Sequence, residues 1–433
     1  MKIRQSNTKA VLNRKLHNEN YTKYIKIVQK LLKKFKIKKS NEYNKLVNFS
    51  TSKKETLQNW FLYKQGYSTE LVSRILNKKK LKKNSFILDP FCGVGTTNVV
   101  CNNYGYKNIG IDVNPIAILA AKVKNRNYNE KFINDLKRLV KQFKLVKPKF
   151  IPDSKVIQTS FNYNNFKTLM YIKGFCENIK DIKKKEFFLL AYISIIEECS
   201  YKIKDGNGLK NYKNKKIPKD IVQHFKKKLK KMISEINNTK KNSTFIEGSF
   251  LDLKINKKFD LVIFSPPYAN CFDYFEVYKL EMWMSGIVNE YKDFERYRSK
   301  AFRSHVNSKF NQKIKYEDDD INIIANLISS FNIWNKNIPA MIRCYFDDTR
   351  ILLNKIFNML KSKSSCFIIV ANSAYKGIII PTDLIIAQIA TKLGFKVKEI
   401  TYARKIRSSS QQNFELKKLD NNLMRETIIE IIK

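Results

Sequence analysis

The stretch that most constrains this chain is FILDPFCGVGTTNVVCNNYGYKNIGID, Phe86 to Asp112. Phe86, Ile87 and Leu88 make a short apolar run of the kind a buried strand carries, and Asp89 ends it. Gly93 and Gly95 open a loop in front of an apolar helix from Thr97 to Tyr104. Glycines at alternate positions let the backbone approach a ligand, and the helix N-terminus behind them favours polar or anionic groups. A second strand closes on Asp112, where a carboxylate can accept hydrogen bonds from ribose hydroxyls. Strand, glycine loop, helix and strand in this order imply parallel pairing through a helical crossover.

The loop lacks the pattern G-x-x-x-x-G-K-[ST], which disfavours nucleotide hydrolysis. Asp89 beside it would repel a pyrophosphate but suits an ammonium. A ligand carrying both an adenosine and an α-amino group is S-adenosylmethionine, and that is the cofactor expected here.

A second stretch, DLVIFSPPY, drives an apolar strand into two prolines. Proline has no N–H and a fixed φ, so Pro266 and Pro267 cannot extend a ladder. They form a stiff platform at a strand's C-terminal end, where open α/β sheets bind ligands. A plain strand-terminating loop is the competing reading of the tetrapeptide alone. Further on, the pattern runs helix (Ala340 to Leu360), strand (SCFIIVANS), helix (Thr382 to Leu393) and two strands (FKVKEITYAR, RETIIEIIK). The expected fold class is therefore α/β, a doubly wound, mostly parallel sheet with helices on both faces. Residues 1–57 read as a basic helical arm with Tyr24, Ile27, Leu31 and Phe35 on one face. Residues 125–242 read as a basic helical insertion with a polar loop from Lys204 to Lys216. The sheet domain takes 58–124 and 243–433.

Lysine and arginine total 84 against 38 acidic residues, a formal net charge of +46. Such an excess favours a polyanion, usually nucleic acid, although richness in Lys, Asn and Ile accounts for part of it. Seven cysteines without C-x-x-C spacing argue against a zinc site and a disulfide framework. The first twenty residues carry no apolar core for a leader, and no run approaches the length of a membrane span, so a cytoplasmic location is expected.

Placed in order, Asp89-Pro90-Phe91-Cys92-Gly93-Val94-Gly95-Thr96 and Ser265-Pro266-Pro267-Tyr268 resemble the two signature motifs of DNA amino-methyltransferases, which modify exocyclic amines of cytosine or adenine. Trp60 to Ile75, Phe272-Asp273-Tyr274, Glu281-Met282-Trp283, Val370 to Ser373 and Arg425-Glu426-Thr427 also resemble family segments. The likeness covers Asn59 to Asn125 and Phe245 to Lys433, and it implies the Rossmann-like fold of class I methyltransferases. It implies Ser265, Pro266, Pro267 and Tyr268 as catalytic residues, and Tyr63, Asp89, Phe91, Gly93, Gly95, Thr96 and Asp112 around S-adenosylmethionine. The family commonly carries an acid just after the third strand's glycine. This chain has Gly248-Ser249 there and Asp252 three residues later, so either Ser249 or Asp252 meets the adenine.

A serine at the first motif position is more typical, in that family, of cytosine N4 than of adenine N6. The expected partners are double-stranded DNA and a cognate restriction endonuclease. Adenine N6, an RNA or protein nitrogen, and DNA binding without turnover are the alternatives. Arg296, Arg298, Arg303 and His305 lie in a charged stretch expected to be exposed and to face phosphates or solvent. Cys92 and Cys271 are expected to be packing residues, and no metal is expected.

Overall fold

A computed structural model describes residues 19–206, 208–212, 214–237, 240–310, 313–406 and 422–433. The segment read for a leader and the start of the expected arm lie outside them. The strands in chain order are β1 (Ile37–Lys39), β2 (Phe86–Asp89), β3 (Lys107–Asp112), β4 (Lys202–Asp205), β5 (Gly208–Asn211) and β6 (Ser243–Glu247). They continue with β7 (Phe259–Phe264), β8 (Leu360–Ala371), β9 (Ser373–Tyr375), β10 (Ile378–Ile380), β11 (Lys396–Lys405) and β12 (Arg425–Ile432). The described residues fall into two compact units, one of 48–250 and 273–300, the other of 19–47, 251–272 and 301–433.

In the first unit β2, β3 and β6 pair in parallel in that order, with Asp89 opposite Gly110 and Asp112 opposite Glu247. Parallel neighbours need a crossover. The helix Thr96–Asn103 supplies it from β2 to β3, and the helix Pro115–Lys124 begins the longer return to β6. Asn114 caps that helix by accepting from the N–H groups of Ile116 and Ala117, and Pro115 takes the first helical position, where its missing donor costs nothing. Ser68 caps the helix Thr69–Lys79 by accepting from Leu71 N–H at 3.2 Å, with Glu70 in the first turn.

The expected insertion is helical and packs within this unit. The helices Tyr163–Asn178 and Ile221–Ser234 lie against Ile182–Ile196, which packs on Pro115–Lys124. Phe143, Phe175, Phe187, Phe188 and Phe225 form its aromatic core at centroid spacings of 4.9–6.5 Å. The polar loop around Lys204 is an antiparallel hairpin of β4 and β5.

The second unit holds β1, β11, β12, β8 and β7 side by side in that order. β7 and β8 are parallel, as are β1 and β11, while β12 runs antiparallel to both its neighbours. Residues 19–47 are integral to this unit. The helix Glu19–Lys34 buries Tyr24, Ile27, Val28 and Leu31 against the helices Asp319–Ser329 and Thr382–Lys392. Tyr24 Oη donates to the Ile379 carbonyl at 3.0 Å and accepts from the Ile379 N–H at 3.2 Å. An apolar stripe of this width needs a covering surface, and the unit supplies it. Both units are α/β, the class the sequence implies: the β2–β3–β6 ladder of the first is wholly parallel, and the β1–β11–β12–β8–β7 run of the second mixes two parallel with two antiparallel pairings. Among the described residues no helix is long and apolar enough to cross a membrane.

Candidate active site

The C-terminal tips of β2 and β3 carry the two carboxylates. Asp89, 2% exposed, accepts from Thr97 Oγ1 at 2.6 Å, Tyr67 Oη at 3.0 Å and Phe91 N–H at 3.1 Å. Burial pushes its carboxyl up to about 7, against the pull of those three donors. Asp112 accepts from Gly93 N–H at 2.9 Å and Asn114 N–H at 2.8 Å, and burial lifts it to about 6. Asp89 therefore organises the glycine loop from inside, while Asp112 ties the loop to β3 and keeps a partly exposed edge.

Gly93 and Gly95 are both in the left-handed region, at φ +50 and +78. A Cβ on Gly93 would lie 3.2 Å from the Tyr63 ring, and one on Gly95 would lie 2.9 Å from Asn125 Nδ2 and 3.0 Å from Ala121 Cβ. Neither position accepts a side chain without strain. Tyr63 stacks with Tyr278, at 4.9 Å and 9°, and with Tyr274, at 6.4 Å and 14°. Its phenol is held well above the ordinary range by burial and by the nearby Asp112.

Other residues expected around the cofactor separate. Phe91 is half-buried, and Thr96 is buried with its hydroxyl donated to Gln58 Oε1 at 3.3 Å. Ser249 is buried beside Gly248, whose N–H bonds the Asp112 carbonyl at 2.9 Å. Asp252 is exposed and belongs to the other unit.

Thr97 and Tyr278 are the site's unforeseen parts, while Tyr67 and Tyr274 lie in segments that resemble the family but carry no individual role in that expectation. Tyr274 and Tyr278 stand four apart, the spacing of one helix face, and that was the available signal. Tyr278 in turn lies beneath the Lys204 ammonium, 4.7 Å from its ring centroid. Lys204, which opens the expected polar loop, is buried in an ion pair with Glu281 and in a second with Glu197 at 3.0 Å.

Ser265, Pro266, Pro267 and Tyr268 follow β7 in the second unit. Pro266 is buried, and the other three are half-buried. The loop is anchored at the Ala269 carbonyl, which accepts from Ser373 Oγ at 2.7 Å and Tyr375 Oη at 2.9 Å. Ser265 Oγ donates to Tyr268 Oη at 3.3 Å, and Tyr268 donates to Glu426 at 2.5 Å.

The charged stretch beyond the loop is a correction. Arg303 is buried and bonded to Asp347 at 2.8 Å and Asp348 at 2.5 Å. His305 is only 3% exposed. Arg298 pairs with Asp273 at 2.8 Å, and Arg296 alone of the four is exposed. Structural carboxylates take up the arginine charge because a buried guanidinium needs a partner. All seven cysteines are buried and free of disulfides, and burial pushes Cys271 to about 11 and Cys92 well above the thiol range. Neither is a ready nucleophile. Among the described residues no group of His, Cys, Asp and Glu is placed to hold a metal ion.

The donor set of the first unit fits S-adenosylmethionine. A partly exposed carboxylate at a strand tip suits ribose hydroxyls, the glycine loop admits close approach, stacked tyrosines offer a flat wall, and the Asp89 and Asp112 carboxylates beside the loop oppose a pyrophosphate.

A family model described as DNA methylase matches residues 3–123, and one described as D12 class N6 adenine-specific DNA methyltransferase matches residues 64–338. The Type II methyltransferase M.BsoBI of Geobacillus stearothermophilus is 27% identical over 431 residues, covering 85% of this chain and 84% of that protein. The Type II methyltransferase M.AvaI of Nostoc sp. is 28% identical over 406 residues, covering 82% of each. The Type II methyltransferase M.MvaI of Kocuria varians is 23% identical over 410 residues, covering 82% of this chain and 86% of that one.

Proposed function

The chain belongs to the DNA amino-methyltransferases, and we propose that it methylates the exocyclic N4 amine of cytosine at a specific site in duplex DNA, as the modification half of a restriction system. The observation that carries the reading is the rigid Ser265–Tyr268 platform at the end of a buried strand, its serine and tyrosine accessible and its backbone anchored at Ala269.

An exocyclic amine is a poor nucleophile because its lone pair is delocalised into the ring. Ser265 Oγ and the Pro266 carbonyl accept the two amine hydrogens, which lets the nitrogen pyramidalise and aim its lone pair. The prolines keep both acceptors in place. Tyr268 stacks on a base rotated out of the duplex, since chemistry on a base edge requires extrusion. S-adenosylmethionine supplies a sulfonium-activated methyl group, so transfer is direct and no enzyme thiol is required.

In the other unit Asp112 holds the ribose hydroxyls and Tyr63 and Phe91 flank the cofactor. The loop ordered by Asp89, Gly93, Gly95 and Thr96 receives its amino-acid end, and Ser249, buried next to Gly248, is preferred over exposed Asp252 for the adenine. A serine at the first motif position, more typical of cytosine N4 in the family, favours cytosine. The D12 class match over 64–338 favours adenine N6 and is the second reading. Supplying labelled cofactor with separate DNA, RNA and protein acceptors tests the function: label in DNA alone is expected, and label in RNA or protein alone would reject it.

Two results should follow at the cofactor site. Asp112→Ala is expected to weaken S-adenosylmethionine binding by about 1–3 kcal/mol, the cost of unpaired buried polar groups. Unchanged affinity by calorimetry would remove Asp112 from the site.

The second is a pH dependence. Burial raises Asp89 and Asp112 to about 7 and about 6, both above the ordinary carboxylate value. Between about pH 4 and 7 the folded protein then binds more protons than the unfolded chain, so without cofactor it loses stability as pH rises through that window. A cofactor with hydroxyl donors and an ammonium selects the ionised carboxylates. Its affinity is expected to rise on the order of 10- to 100-fold from pH 5.5 to 8. Titration calorimetry across that range checks it, and a flat profile would mean that neither carboxylate meets the ligand.

A further inference from the structure

The phenol of Tyr268 is the middle link of a chain. It accepts from Ser265 Oγ at 3.3 Å and donates to Glu426 Oε1 at 2.5 Å, while the other carboxylate oxygen of Glu426 takes the Nε–H of Arg404. Glu426 lies on β12 and is 2% exposed. We propose that Glu426 is a positioning residue for methyl transfer, fixing the direction of the Ser265–Tyr268–Glu426 hydrogen bonds so that Ser265 is left as an acceptor for the substrate amine. This rests on the reading of the loop as an amine platform.

The direction follows from donor inventory. An ionised carboxylate can only accept, so Tyr268 must turn its single O–H toward Glu426. The phenol oxygen then presents only lone pairs to its other neighbour, and Ser265 must donate its one proton there. What Ser265 Oγ has left is lone pairs, which suit the N–H of an incoming amine. Without the carboxylate both hydroxyls are free to rotate, and Ser265 can face the amine with its proton instead. The charge-assisted bond at the far end also polarises the chain toward a more negative serine oxygen. A neutral serine at the first motif position thereby draws on a carboxylate two hydrogen bonds away.

The same chain drains a proton. Once the amine nitrogen carries the methyl group it sheds one proton: the N–H electron pair stays on nitrogen and the proton goes to Ser265 Oγ. The serine's own proton passes to Tyr268 Oη and the phenol's to Glu426, which ends as a neutral acid.

The test uses the full chain, unmethylated genomic DNA and labelled S-adenosylmethionine, with transfer rate and cofactor affinity measured separately. Glu426→Gln and Tyr268→Phe are each expected to slow transfer by about tenfold or more with cofactor affinity within about twofold of the parent. The double variant should be no slower than the slower single, because both act through one chain. Parental rates in Glu426→Gln, or effects that multiply in the double variant, overturn the proposal. Ser265→Ala is measured alongside. If it is crippled while Glu426→Gln is not, the chain is wrong and the platform stands; if Ser265→Ala transfers normally, the platform reading itself fails. Should Glu426→Gln not fold, Tyr268→Phe, which leaves the pair of Glu426 and Arg404 in place, decides by the same rate criterion.

Discussion

Ser265→Ala is expected to lower turnover by roughly 10²-fold or more, the size of effect seen when one positioned transition-state hydrogen bond is lost, with S-adenosylmethionine affinity near normal. The separation is the informative part. Asp89, Asp112, Gly93 and Tyr63 belong to one compact unit and Ser265 to Tyr268 to the other, so removing the serine hydroxyl leaves every hydrogen bond of the cofactor loop in place. Turnover by label transfer and affinity by calorimetry read the two functions independently. Loss of both together would mean that the loop is a structural element of the fold, and loss of neither would mean that the amine is not held there.

Lys204→Met should have an effect of similar size on stability. Lys204 and Glu281 are 6% and 1% exposed and form an ion pair, with Glu197 at 3.0 Å as the second acid. Burial alone would depress the lysine, but Glu281 and Glu197 hold it above its ordinary value, while burial raises Glu281. Removing the cation leaves an uncompensated buried carboxylate, a change that costs about 3–5 kcal/mol. The midpoint of urea unfolding is the measurement. Lys204→Met/Glu281→Leu is expected to recover much of the loss, since apolar replacement of a whole buried pair is often neutral or better. An unaltered midpoint in the single variant would show that the lysine is solvated in solution. Because Lys204 also lies over the Tyr278 ring, which stacks on Tyr63, cofactor affinity should fall in the single variant too.

What the sequence shows of this site is what local chemistry determines. Asp89, Gly93, Gly95 and Asp112 are legible because strand, glycine turn, helix cap and strand tip succeed one another within 27 residues of chain, Phe86 to Asp112. The two prolines are legible because neither can join a ladder. What stays hidden depends on residues far away in the chain. Glu426 meets Tyr268 across 158 positions, and nothing near either residue signals the other.

Arg303 and His305 looked exposed because their neighbours are charged. The carboxylates that bury Arg303 are Asp347 and Asp348, more than forty positions downstream. Lys204 misled in the same way, since a basic, glycine-containing run reads as a polar loop until Glu281 closes on it. The antiparallel course of β12 is equally illegible: RETIIEII is buried on both faces, so its pattern matches a parallel central strand. Its buried charges are matched one by one, with Arg425 bonded to Asp383 at 2.7 Å and Glu430 paired with Lys398 at 3.3 Å.

The most direct measurement of the central claim is to express the chain in a host lacking its own DNA methylation, digest the DNA to nucleosides and identify them by mass. N4-methylcytosine is the predicted product, and it should vanish with Ser265→Ala. N6-methyladenine in its place would overturn the choice of base and keep the amine chemistry, while 5-methylcytosine, or no modified nucleoside at all, would contradict the account.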